Sequence, residues 1–61
     1  MNMVDFEMAK RFSRIDCEIG KTVYIPPQFR LDSGKLIPTY WWCRHFGFEN
    51  TDKPNYWRRN Q

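Results

Sequence analysis

Long apolar runs are missing from this chain: no stretch approaches the ~20 consecutive apolar residues that a membrane-spanning helix needs, so no membrane association is expected. Near the start, Asp5 and Glu7 stand where a secretion signal would carry basic and then apolar residues. The expectation is a soluble, intracellular, cytoplasmic protein. Cysteine is scarce. Cys17 and Cys43 could form one disulfide, but with no sign of secretion both are expected to be free thiols. There is one histidine, and only Cys43-x-His45 is locally paired, whereas structural zinc sites show two close pairs of ligands; neither metal nor cofactor is expected. Length is the last shortage. In 61 residues there is room for one small domain, 1–61, and not for a deep cleft with its own supporting shell, which argues against an enzyme.

Aromatic residues, by contrast, are abundant at 18%. Disordered chains are poor in rings, and domains this small rarely hold together without disulfides, metal, oligomerisation or unusually efficient packing. A buried Phe, Tyr or Trp removes ~150–250 Å² from water, so eleven rings could stabilise one core. Phe6, Phe12, Phe29 and Phe46 are the expected core rings. The competing use of a ring is an exposed face for a base or a partner protein.

The order of residues predicts an α+β fold: an N-terminal amphipathic helix, a small antiparallel hairpin or three-stranded sheet, and one or two short C-terminal helices. Val4, Met8, Phe12, Ile15 and Ile19 line one face of a helix over 3–19, with Asn2 as its cap, Asp5 in the first turn, and Gly20 as its stop. The stretch 15–19 also alternates with period two, but Ile15 and Ile19 extend the helical stripe. Thr22-Val23-Tyr24-Ile25 is β-branched and aromatic and is closed by Pro26-Pro27, as a short strand should be. Phe29-Arg30-Leu31 and Lys35-Leu36-Ile37 flank Asp32-Ser33-Gly34, the pattern of a three-residue hairpin loop with Gly34 in the left-handed region. Thr39 is placed to cap a helix over 40–46 that Gly47 ends. Trp41/His45 and Trp42/Phe46 then fall on adjacent faces, so at least one tryptophan should be half exposed. Thr51 is placed to cap a last helix running through Tyr56 to Arg59, with Pro54 in its first turn.

Motifs that carry chemistry are weak. Gly20-Lys21-Thr22 echoes the end of a phosphate-binding loop, but Ile15 stands where the first glycine should, and the loop would run from helix to strand instead of strand to helix. Cys43 and His45 are two apart, which on a helix points them away from each other and makes a poor catalytic dyad. Part of a helix-turn-helix spacing is present in Cys43, Phe46, Gly47 and Phe48, but Lys53 and Pro54 break its second half.

Charge carries the functional expectation. The net charge is +3, and from Lys53 onward there are basic residues and no acidic ones. Cations neutralise phosphates and neighbouring rings offer stacking faces. The first expectation is therefore a small regulatory or accessory protein that binds nucleic acid, DNA ahead of RNA, through Arg30, Lys35, Arg44, His45, Lys53, Tyr56, Trp57, Arg58 and Arg59. A chain this short suits a phage or other mobile element. The alternative is a protein-binding module, whether inhibitor, adaptor or small subunit, docking through Tyr40, Trp41, Trp42 and Trp57; its simplest form is a homodimer. The surroundings of Trp57 discriminate the two: arginines with few acids favour nucleic acid, and Glu49 or Asp52 among them weakens that reading.

Overall fold

The computed structural model describes residues 3–61. It is α+β in the order α1 (Met3–Ser13), β1 (Thr22–Tyr24), β2 (Gln28–Arg30), β3 (Leu36–Pro38), α2 (Tyr40–His45), β4 (Phe48–Asn50) and β5 (Tyr56–Arg59). Strands β1, β5 and β4 form an antiparallel sheet in that spatial order, and β2 and β3 form a separate hairpin. Helix α1 buries Met8 and Phe12 against Ile25, Leu31, Ile37, Cys43, Phe48 and Trp57, with Val4 and Ile15 packed at the margin.

The helical stripe holds through Phe12 and then ends early. Instead of running to residue 19, α1 stops at Ser13, whose hydroxyl donates to the Lys10 carbonyl, and the chain unwinds through tight bonds from Arg14 N–H to Arg11 and from Ile15 N–H to Phe12. What wins over further helix is tertiary bonding. Gly20 N–H donates to the Arg59 carbonyl, Arg59 N–H donates to Lys21, and the Arg59 guanidinium donates to the Cys17 carbonyl. Residues 17–21 therefore lie along the end of β5. Ile19, expected on the buried stripe, is 69% exposed, and Cys17 takes the core position. Asn2, the expected cap, lies outside the described residues.

The first hairpin forms as its sequence predicts. Gly34 N–H donates to the Leu31 carbonyl and Leu31 N–H to Lys35, with Gly34 at φ +90°. Phe29 and Leu31 face inward and Arg30 outward. Between β1 and β2, Pro26 and Pro27 have no N–H to offer a ladder, and the segment is tied down through its carbonyls: Pro26 accepts from the Thr39 hydroxyl and Pro27 from Thr39 N–H. Thr39 thus stands at the N-cap of α2, as expected, with its carbonyl accepting from Cys43 N–H, but its side chain makes no capping bond because its hydroxyl is committed to Pro26. Gly47, at φ +90°, ends α2 as expected.

The expected last helix is a strand. Thr51 Oγ1 accepts from Lys53 N–H and donates to the Tyr56 carbonyl, Asn55 turns the chain at φ +66°, and Tyr56–Arg59 then alternates, with Trp57 inward and Arg58 outward. Two aromatic residues at adjacent positions suit a pleated strand with one ring in the core and the other over the flank, and β5 finds partners on both sides. There is thus one short C-terminal helix, and the partial helix-turn-helix spacing has no second helix to complete it.

Candidate functional site

A groove runs between α1 and α2. Its α1 wall is Asp5, Phe6 and Ala9, its α2 wall is Trp41, Trp42, His45 and Phe46, and it encloses about 750 Å³. Spacing explains the walls. The core stripe of α1 uses positions 4, 8 and 12, and positions 5, 6 and 9 occupy the adjacent face. In α2, Cys43 is buried, which turns Trp41 and His45 outward and leaves Trp42 and Phe46 half-buried.

Phe6 was expected in the core but is 62% exposed, because it falls off the Met8–Phe12 stripe; Trp41 is 70% exposed. The groove floor connects to the core through stacked rings: Phe12 to Phe46 at 4.9 Å between centroids, and Phe46 to Trp42 at 6.0 Å. A smaller recess of about 280 Å³, lined by Phe12, Ser13, Phe48 and Arg59, shares Ala9 and Phe46 with it and prolongs it. Trp41 is held from two sides, by the Arg44 guanidinium 5.5 Å from its ring centre and by the edge of Tyr40, whose hydroxyl accepts from Asn50. Asp5 on α1 and His45 on α2 are the polar side chains that line the groove.

The residues expected to bind nucleic acid lie on three parts of the fold. Arg30 and Lys35 are exposed on the β2–β3 hairpin, Arg44 and His45 on α2, and the rest on the β4–β5 hairpin. Several are engaged within the fold. Trp57 is 5% exposed, so its ring lies in the core and not on the surface. It packs edge-on against Tyr40. Arg58 pairs with Glu49 at 3.5 Å across the sheet, Lys53 lies over the Tyr56 ring at 4.5 Å, and Tyr56 packs against Tyr24. The Arg59 guanidinium donates to the carbonyls of Cys17 and Gln61. Of the four expected protein anchors, Trp41 and Trp42 line the groove and Tyr40 buttresses it. Asp5, Phe6 and Ala9 were not expected at a site; a phenylalanine two positions off the helical stripe was the available signal.

Both thiols are free and buried. Burial pushes Cys43 up to about 12, outweighing the hydrogen bond with Thr39 that favours the thiolate, so it is an inert core thiol. Among the described residues no helix is long and apolar enough to cross a membrane. Compared with protein families, curated proteins and solved structures, the chain matches none.

Proposed function

We propose that this protein is a small non-enzymatic binding module that takes an apolar segment of a protein partner into the groove between α1 and α2. The observation that carries the proposal is an aromatic concavity walled by Phe6 and Trp41, two large side chains left mostly in water by a chain that has few residues to spare for its core. Rings in a concave site are the usual anchors of protein recognition, because they bury large areas and lose little side-chain freedom. The nucleic-acid reading draws less support. Its central ring, Trp57, is in the core, Glu49 sits on Arg58, and Arg59 is bound to backbone carbonyls, which leaves Arg30, Lys35 and Arg44 as dispersed cations.

Selection of random peptides on the purified protein tests the proposal. Enriched peptides should carry apolar anchors at helical or alternate spacing and should lose binding to a Phe6→Ser/Trp41→Ser variant. Both positions are exposed, so circular dichroism should report an unchanged fold. A duplex DNA titration runs beside it. Peptides that bind wild type and variant alike would overturn the proposal. So would duplex binding whose log K falls steeply with log salt, near −0.9 per phosphate contacted, and which survives the double substitution.

A further inference from the structure

We infer that the groove selects a partner segment carrying a basic side chain, lysine or arginine, whose aliphatic stem lies along the rings of Phe6, Trp41 and Trp42 and whose cationic head sits beside the Asp5 carboxylate. This inference rests on the groove's being a protein-docking site and names the residue that the site prefers.

The sign of the groove differs from that of the chain. The net charge of +3, taken alone, points to an acidic partner. Among the described residues, however, the groove is lined by one carboxylate, Asp5, and by no lysine or arginine; His45 is its other polar side chain. The Asp5 carboxylate has no ion-pair partner among the described residues, whereas Glu49 has one in Arg58. A cation brought into the groove by a partner therefore finds a carboxylate that this chain has left unpaired.

The rings act in the same direction. An aromatic face is the negative part of the ring, and a cation within ~6 Å of the ring centre is attracted to it. The fold makes this contact elsewhere, with Arg11 over Phe29 at 5.7 Å, Arg44 over Trp41 at 5.5 Å and Lys53 over Tyr56 at 4.5 Å. Among the described residues no cation lies over Phe6, Trp42 or Phe46, the other three Phe and Trp rings of the groove. The guanidinium already over Trp41 directs an incoming cation to the α1 wall, where Asp5 stands.

Depth suits the two halves of such a side chain. Trp42 and Phe46 are half-buried, and Asp5 and Phe6 are exposed. Lysine and arginine bury their methylenes along apolar surface and keep the charged head in water. Burying the head completely would cost more than pairing returns, but beside an exposed carboxylate it keeps part of its hydration. Norleucine, with a similar stem and no charge, gains neither the carboxylate nor the ring faces. Glutamate meets both as like charge.

Four peptide pools test the inference. Each has a single length, no tryptophan or tyrosine, random apolar residues on both flanks and one fixed central residue: lysine, arginine, norleucine or glutamate. Binding is read from tryptophan fluorescence, since Trp41 and Trp42 line the groove. The lysine and arginine pools should bind about fivefold or more tighter than the norleucine pool, through a ring contact and an exposed ion pair together, and the glutamate pool should bind weakest. That preference should shrink as salt rises from about 50 mM to about 500 mM. Asp5→Asn should bring lysine and norleucine to within about twofold of each other. Asp5→Lys should turn the preference towards glutamate, a reversal that unfolding cannot produce. Asp5 also lies in the first turn of α1, where a carboxylate favours the helix, so circular dichroism accompanies each variant. Norleucine peptides that bind wild type as tightly as lysine peptides overturn the inference, and so does a lysine preference that survives Asp5→Asn unchanged. In either case, loss of binding in Trp41→Ser leaves the docking site standing and removes only its preference for a cation. If no pool binds in a Trp41-dependent way, both readings fall.

Discussion

Replacing Thr39 by valine should loosen the joint on which α2 and its groove residues are mounted. Thr39 is 2% exposed, and it ties two segments together: its hydroxyl donates to the Pro26 carbonyl and its N–H to the Pro27 carbonyl at 2.9 Å. Valine keeps the shape and the backbone bond but removes the hydroxyl. An unmade hydrogen bond to a buried acceptor costs about 1–3 kcal/mol, and because Pro26 is itself exposed, water partly replaces the donor, which sets the expected loss at about 1–2 kcal/mol. For a domain of this size that is a fall in Tm of about 4–16 °C. With a urea m-value of ~1 kcal/mol/M, the midpoint should drop by about 1–2 M. Tryptophan fluorescence follows the transition, since Trp57 passes from the core into water. Thr39→Ser, which keeps the hydroxyl and loses a methyl, should cost about 1 kcal/mol, and Thr39→Ala roughly the sum of the two losses. The sharpest comparison is Thr39→Asp. If the Thr39 side chain capped α2, aspartate would serve as well or better, but here it would press a carboxylate against the Pro26 carbonyl and destabilise the fold. A Thr39→Asp protein as stable as wild type, or a Thr39→Val protein with an unmoved midpoint, would refute the assignment.

The other predictions use the same denaturation assay. Arg59→Lys should cost about 1–2 kcal/mol, because a single ammonium on a flexible stem cannot serve the Cys17 and Gln61 carbonyls as the guanidinium does, while Arg30→Ala/Lys35→Ala should stay within about 0.5 kcal/mol of wild type. Gly34→Ala should lose about 1–2 kcal/mol through its φ of +90° alone. Gly47→Ala should lose more, since its new Cβ would stand 2.8 Å from the Gln61 Cβ, and removing Gln61 should bring the two variants together. Cys43 gives the alkaline limb of stability. The folded thiol keeps its proton to about 12 whereas the unfolded thiol releases it near 9.0, so between those values the unfolded state binds fewer protons and stability falls as pH rises. The slope is at most about 1.4 kcal/mol per pH unit. Relative to wild type, Cys43→Ala should lose less stability between about pH 8 and about pH 10, and equal losses would count against the assignment.

Elements governed by local chemistry are legible in the sequence. The three-residue hairpin needs only Gly34 and its flanking strands, and the α1 stripe needs only Met8 and Phe12 at helical spacing. Where the reading failed, a long-range partner decided the outcome. Residues 15–19 fit either a helix or a strand locally, and the fold uses neither: 15–18 is irregular and 19–20 a turn, with Cys17, Gly20 and Lys21 hydrogen-bonded to Arg59 of β5, some forty positions away. Residues 51–59 read locally as a helix. Their proline and potential cap fitted a helix start, but in a strand Trp57 enters the core while β5 pairs on both sides, and no local propensity reports on that gain. The site was half legible for a related reason. Adjacent tryptophans on a short helix cannot both be buried, which anticipated the exposure of Trp41. Phe6 completes the groove, but it was counted as core simply for being phenylalanine.

The charge pattern shows why a basic tail in a very small domain is weak support for a basic partner. With few residues available, the same side chain must often serve the fold. Arg59 joins the end of β5 to the segment after α1, and Arg58 satisfies Glu49 across the sheet. Lys53 lies over Tyr56, and Arg11 donates to the Arg30 carbonyl while covering the Phe29 ring. Rings and cations lie together here because a guanidinium or ammonium over an aromatic face covers apolar surface that a small core cannot enclose. The aromatic and basic residues of the C-terminal segment thus stabilise one another. In the groove between α1 and α2, by contrast, Trp41 remains 70% exposed although the Arg44 guanidinium lies over its ring.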